Sequence, residues 1–342
     1  MGFIYKKFLW GVKGLKEFYN KYFMKQKMMH PVMFALLPIA LVAIYFYGLR
    51  VLALFLLNII VACLVEYLAN AKIFKRNKIS EAAIVTSCLY TMTLPPSIPF
   101  WISAVGIAFG IFFGKMVFGG FAKNVFNPAL VARVFIYVNF PQQMTIYWNK
   151  AVGSFPGGFG TYLTQSLDSM TQPTPMTAFK VNSTFETIPT MLLGQIPGVI
   201  GETCKVLIII GAIYLIYKKV ASWQIMAGSV LGFCVLSLIF NAVGVTSVPN
   251  PIYGMLMGGF LFGTVFMATD PVSAAKTPIG KWIYGFIIGI VTVIIRGFAL
   301  FAGGVMFAVL IGNTFAPIID YCVNKVQANK KAKTNKEVKV NG

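Results

Sequence analysis

Ten apolar runs, separated by lysine-bearing or proline-rich breaks, leave this chain few ways to fold. They lie at about 31–49, 51–70, 81–95, 99–117, 128–140, 204–217, 223–243, 253–269, 281–299 and 303–322. A helix that crosses the hydrocarbon of a bilayer needs about 20 apolar residues, and its own hydrogen bonds must satisfy its backbone. Several runs are shorter than that. Short or Gly/Pro-interrupted runs predict broken helices that line a buried site. Composition agrees: 58% of residues are hydrophobic and 11% charged, too apolar for a water-soluble domain. The expected fold class is an all-α polytopic membrane protein with about ten transmembrane helices.

Around this core the chain divides simply. Residues 1–30 interleave lysines (Lys6, Lys7, Lys13, Lys16) with aromatics (Phe3, Phe8, Trp10, Phe18), the pattern of a helix lying on a cytoplasmic membrane surface. Residues 31–322 form the transmembrane domain, interrupted by a polar loop at 141–203, and 323–342 are a basic tail. Five scattered cysteines and the lone His30 give no Cys/His metal-binding spacing and no disulfide framework.

The net charge of +20 does not indicate a nucleic-acid partner, because its lysines and arginines sit at the ends and in short loops between apolar runs. That is the positive-inside pattern of a protein whose solvent is the lipid bilayer. With a cytoplasmic N-terminus, Lys72, Lys75, Arg76, Lys78, Lys115, Lys123, Lys218, Lys219, Lys276 and Lys281 all fall inside, as does the tail. The 141–203 loop then falls outside the cytoplasm. Arg50 and Arg296 are exceptions near outer ends. The expectation is a bacterial inner-membrane protein with both termini cytoplasmic.

A weak internal repeat is visible. Asn124-Val125-Phe126-Asn127-Pro128 opens the fifth run, and Asn313-Thr314-Phe315-Ala316-Pro317 lies in the tenth. Thr93-Leu94-Pro95 ends the third run, and Thr269-Asp270-Pro271 ends the eighth. Halves of five segments have opposite orientation because five is odd, so the pattern predicts two inverted five-helix repeats with sites where broken helices meet.

Three polar features stand out. The segment Asp168-Ser169-Met170-Thr171-Gln172-Pro173-Thr174-Pro175-Met176 has hydroxyls at Thr171 and Thr174, an upstream acid and flanking prolines. By spacing alone it is a proline-rich turn. In Phe118-Gly119-Gly120-Phe121-Ala122-Lys123-Asn124-Val125-Phe126-Asn127, the paired glycines permit close backbone approach. The two asparagines, three apart, offer amide donors and acceptors; by themselves they also fit a turn with an Asn cap. Finally, Glu66, Asp270 and Asp320 are acids in or at the ends of apolar runs and are candidates for an ion pathway; for Asp270 and Asp320 the alternative is that they cap or end helices near water. Arg133 is a candidate buried cation that pairs with an acid, stabilises a ligand that turns anionic on reduction, or snorkels to the interface.

Several motifs together resemble the NqrB/RnfD family. They are the Asp168–Thr174 segment; Ile79-Ser80-Glu81-Ala82-Ala83-Ile84-Val85-Thr86 through Pro99; Gly201-Glu202-Thr203; and Ala268-Thr269-Asp270-Pro271-Val272. The resemblance runs from about 31 to 322. It implies FMN attached through a phosphoester to Thr174, with Asp168 and Thr171 belonging to the attachment motif and a flavin transferase as maturation partner. Where the family has a small residue before the threonine, this chain has Pro173. The resemblance also implies a second, non-covalent flavin, riboflavin, near Asn124 and Asn127 with Gly119 and Gly120 beside them. It suggests cation uptake at acids matching Glu66, Asp270 and Asp320.

Thr-Gln-x-Thr-Pro followed by Thr177-Ala178-Phe179-Lys180 is closer to the Rnf member. Ala62 and Cys63 stand where NqrB places two glycines near its quinone. The expected function is a membrane flavoprotein subunit of an Rnf-type complex. It would receive electrons at the outer face from a flavin-bearing partner subunit, serve reversible ferredoxin:NAD+ oxidoreduction, and couple this to Na+ or H+ movement. The alternatives are an NqrB-type subunit that passes electrons to quinone and a non-redox solute channel.

Overall fold

The computed structural model describes residues 17, 19–149, 151, 157–160, 162, 173–299 and 303–340, without the side chains of 332–340. Most of the predicted N-terminal surface helix, together with Asp168 and Thr171, lies outside the described residues. The first half comprises α1 (Met29–Tyr47), α2 (Leu49–Lys72), α3 (Glu81–Met92), α4 (Phe100–Ile111) and α5 (Pro128–Asn139). The polar loop holds α6 (Pro141–Thr145), α7 (Pro175–Asn182) and α8 (Ile188–Leu193). The second half comprises α9 (Lys205–Tyr217), α10 (Trp223–Ala242), α11 (Pro251–Leu256), α12 (Phe260–Phe262), α13 (Pro278–Phe298) and α14 (Gly304–Val340). A short strap, β1 (Phe23–Met24), pairs in parallel with β2 (Ile79–Ser80).

Five of these helices are long and apolar enough to cross a membrane: α1, α2, α10, α13 and α14 over Gly304–Lys331. The solvent around them is legible in α2. Leu52, Leu56, Ile60, Leu64 and Leu68, four apart, are exposed, while Asn58, Glu66 and Asn70 are buried. A helix in water turns the opposite face outward, so this one is built for lipid. α10 and α13 pack through small residues: a Cβ on Gly289 would lie 2.2 Å from the Ser229 carbonyl oxygen, so only glycine admits this backbone approach. α14 continues without a break from its apolar part into the basic tail.

The breaks are where the fold spends its polar groups. α4 ends in a π turn over Phe112–Met116, and α12 runs into a second over Gly263–Met267. The Leu94 carbonyl, freed where α3 ends, accepts the Ile200 N–H at 2.9 Å. Arg50 donates to the carbonyls of Pro96, Ser97 and Ile98 at 3.0, 3.2 and 2.5 Å. Arg296 donates through Nη1 to those of Gly254 at 2.7 Å and Met257 at 3.1 Å. The two arginines that break the charge pattern of the sequence are therefore clamps. Each supplies donors to carbonyls that a broken helix leaves unpaired in an apolar surrounding.

Candidate functional site

α5 organises the site. Pro128 occupies its first turn, and the Asn127 side chain accepts the Ala129 and Leu130 N–H groups at 3.0 and 3.4 Å, so one acceptor oxygen caps the helix. Asn127, Leu130, Arg133 and Tyr137 follow at helical spacing and share one face. Asn127 lines a cleft at the end of the bundle that carries the strap. Leu130 and Arg133 line a small cavity in the middle, and Arg133 and Tyr137 line a third cavity at the end that carries the polar loop. The rise from the first to the last of these residues is about 15 Å.

The strap-end cleft has a free volume of about 750 Å³ and is walled by Lys115, Phe121, Asn124, Asn127, Thr269 and Asp270 among others. Both asparagines singled out in the sequence are on its wall. Gly119 and Gly120 are not; with φ of 106° and 93° they make the turn ahead of Asn124, a conformation other residues rarely adopt. Asn127 Nδ2 donates to the Met267 carbonyl at 3.3 Å, and its backbone N–H donates to Asn313 Oδ1 at 3.2 Å. Asn313 in turn donates to the Ser273 carbonyl and the Tyr284 hydroxyl, at 3.2 and 2.8 Å. The two matched Asn-x-Phe-x-Pro motifs thus touch.

The three acids lie toward this same end, and each is engaged. Glu66 pairs with Lys115 at 2.6 Å, both 2% exposed, and also accepts the Ser80 N–H at 2.9 Å. Lys115 donates to Ser80 Oγ at 2.6 Å as well. Asp270 accepts from Val272 N and Ser273 Oγ at 3.1 and 2.8 Å on the cleft wall. Asp320 accepts from Lys276 N, Thr277 N and Thr277 Oγ1 at 2.7, 2.9 and 2.6 Å, anchoring the start of α13.

The loop-end cavity, with a free volume of about 770 Å³, is lined by Arg133, Tyr137, Trp148, Thr174, Thr177 and Glu202 among others. Thr174 caps α7: its Oγ1 accepts the Thr177 N–H at 3.3 Å and shares a hydrogen bond with Thr177 Oγ1 at 2.9 Å. Pro175 follows in the first turn and holds Thr174 extended, while Pro173 before it is exposed. The platform is fixed: Met176 and Phe179 pack with Met191, Ile196, Leu256 and Met257, and Lys180 donates to the Ala299 carbonyl at 2.8 Å. Burial and the nearby Arg296 lower the Lys180 ammonium's pKa.

Charge at this end is uneven. Arg133, Lys205 and Arg296 are all buried. Lys205 donates to the Glu202 carbonyl. Arg133 Nε, and Arg296 Nε and Nη2, have no hydrogen-bond partner among the described residues. Glu202 is the one carboxylate among the described lining residues, and no described carboxylate forms an ion pair with either arginine. Arg133 does not snorkel to an interface; it lines both the middle and the loop-end cavities. A threonine hydroxyl, a guanidinium on the wall and aromatic side chains suit a planar heteroaromatic group that carries negative charge.

Residues 17–329 match the family described as NQR2, RnfD, RnfE. The chain belongs to that family. It is similar to the B subunit of the Na(+)-translocating NADH-quinone reductase of Pseudomonas paraeruginosa, 42% identical over 264 residues that cover 75% of this chain and 62% of that protein. The same subunit from Yersinia pestis is 38% identical over 276 residues, covering 76% and 62%, and that from Azotobacter vinelandii 42% over 273 residues, covering 77% and 64%. The chain therefore spans about six-tenths of the length of the curated relatives it matches. Membership and the five apolar helices make it a multi-pass membrane protein. Sequence reasoning had no place for Lys115, Lys205 or Arg296 in the site. The available signals were Arg296 as an exception to the charge pattern and Lys115 at the end of an apolar run.

Proposed function

We propose that this protein is the membrane-embedded electron-transfer subunit of an ion-translocating oxidoreductase complex, with FMN on Thr174 and riboflavin held non-covalently in the cleft of Asn124 and Asn127. The observation that carries the reading is Thr174. It is a buried cap on a fixed platform, and Arg133, whose Nε has no partner among the described residues, lines its cavity. Bound flavins would supply one- and two-electron redox chemistry, which amino-acid side chains lack. The chain's own residues do the rest. Thr174 anchors, the Arg133 side charges one wall, the asparagines offer amide partners to a ring's edge, and α5 spans the distance between the two positions. Apolar Leu130, Phe262, Val305 and Val309 line the middle cavity, keeping water from the route.

The cargo is Na+ or H+. Of the three candidate acids, Asp270 faces the strap-end cleft, whereas Glu66 is paired with Lys115 and Asp320 with backbone donors, so Asp270 is placed to meet a cation beside the cofactor. The Asn127–Asn313 contact supports two inverted five-helix repeats, and the lysine distribution supports cytoplasmic termini in a bacterial inner membrane. Partners are other membrane and peripheral subunits, including a flavin-bearing one at the outer face, and a flavin transferase.

Two forms of the complex fit. The Thr174 segment and Ala62-Cys63 favour the Rnf form, which exchanges electrons between ferredoxin and NAD+. The names of the relatives favour the NqrB form, which passes electrons to quinone. Quinone-dependent turnover of the purified complex selects the second; its absence together with ferredoxin:NAD+ activity selects the first. For the shared reading, protein made with a flavin transferase gives a band fluorescent under ultraviolet light on a denaturing gel, and Thr174→Ala removes it. No band in the native protein, or a band that persists in Thr174→Ala, overturns the covalent site and leaves the solute-channel alternative.

A further inference from the structure

Arg133 and Glu202 both line the loop-end cavity, yet they form no ion pair with each other. The other two buried cations nearby do not line the cavity. Lys205 donates to the Glu202 carbonyl, and Arg296 donates through Nη1 to the carbonyls of Gly254 and Met257, its Nε and Nη2 being without partners among the described residues. Only Arg133 of the three is on the wall, and its Nε is buried without a partner. A buried guanidinium left unmatched is costly unless some anion completes it. Among the described residues the Glu202 carboxylate is the one anion that shares its cavity, and no ion pair joins the two. The guanidinium is placed to meet a charge that arrives.

We infer that Arg133 sets the reduction potential of the redox group in the loop-end cavity, with Glu202 as its opposing charge; this rests on the proposed flavin at Thr174. Each electron delivered by a one-electron carrier of a partner subunit adds one negative charge to the cavity, and a proton from water cancels it only if it follows. Arg133 holds that charge where no proton follows. Glu202 balances the cations while the charge is absent and opposes it on arrival. Because Arg133 also lines the middle cavity, it stabilises charge on the side from which the electron leaves toward the strap end.

The test is a spectroelectrochemical titration of the covalent flavin in the purified complex, comparing native protein with Arg133→Gln, Arg133→Lys and Glu202→Gln. Arg133→Gln is expected to lower the reduced-to-oxidised ratio at a fixed potential about tenfold, a shift of about 59 mV to more negative potential for one electron. Arg133→Lys stays nearer the native value. Glu202→Gln moves the midpoint in the opposite direction. This reversal of sign is not produced by general damage to the fold; if Arg133→Gln fails to accumulate, the shift of Glu202→Gln to more positive potential carries the test. Midpoints that stay at the native value, or that move the same way in both, overturn the inference. So does loss of attachment in Arg133→Gln with a native midpoint in the remaining labelled protein, since that marks a phosphate contact only. A native protein without a fluorescent band removes the parent reading and this inference with it; a band with unmoved midpoints removes the inference alone.

Discussion

The two ends of α5 differ in how they treat charge. At the strap end every candidate acid is answered by the protein: Glu66 by Lys115 and Ser80, Asp270 by Val272 and Ser273, Asp320 by Lys276 and Thr277. At the loop end Arg133 and Arg296 keep buried nitrogens that nothing described answers. An electrically closed pocket suits a neutral ring held through amides and shape. An open one suits a group whose charge changes. The same helix carries both because its cap, Asn127, belongs to one end and its second and third turns to the other.

The largest effect should come from reopening the closed end. Lys115→Met strands the Glu66 carboxylate among apolar neighbours, and breaking one partner of a buried pair costs about 3–5 kcal/mol. The expected result is a large fall in thermal unfolding midpoint in detergent, partly recovered by adding Glu66→Gln. A variant that melts like the native protein would mean the pair is hydrated, and the contrast between the ends would collapse. Asn127→Ala is next. It removes the cap of α5, about 1 kcal/mol, together with the bond to the Met267 carbonyl. Non-covalently bound flavin should wash from the purified variant while the fluorescent band at Thr174 stays. Loss of the band instead would show that the ends are not separate sites.

The same division governs what the sequence discloses. Asn127 is legible as a cap because it is a polar residue followed by proline, a local signature of a helix start; Thr174 carries the same signature, but its segment reads as a proline-rich turn, and the structure makes it the cap of α7 instead. Arg133 is legible as a buried cation but not as a cavity wall, because which side of α5 faces the gap depends on helices far away in the chain. Lys115 reads as a loop cation. The π turn over Phe112–Met116 inserts an extra residue and shifts the phase of the side chains after it, so that it pairs with Glu66 across 49 positions. Arg50 and Arg296 read as violations of a charge rule; the carbonyls they clamp become visible only once the breaks at 94–98 and 254–257 are folded. The apolar runs, short ones included, are evident from the sequence, and α3, α4, α5 and α9 fall on the runs at 81–95, 99–117, 128–140 and 204–217. The π turns that end α4 and follow α12, and Asn127 meeting Asn313, rest on tertiary packing that periodicity does not encode.

The smallest predicted effect separates a cap from an ion ligand. Asp320 receives three hydrogen bonds from Lys276 and Thr277, at the N-terminus of α13. Asp320→Asn keeps one acceptor oxygen but loses the charge, and a charge at a helix N-terminus contributes about 0.3–1 kcal/mol. A small drop in thermal midpoint is expected. Asp270→Asn removes a charge from the cleft wall itself, so ion uptake by the complex in proteoliposomes should fall further in Asp270→Asn than in Asp320→Asn. The reverse order would place the cation at the foot of α13. The strap end would then be closed at its cleft and open at its rim, and the charge contrast would have to be redrawn between the two acids rather than between the two ends of α5.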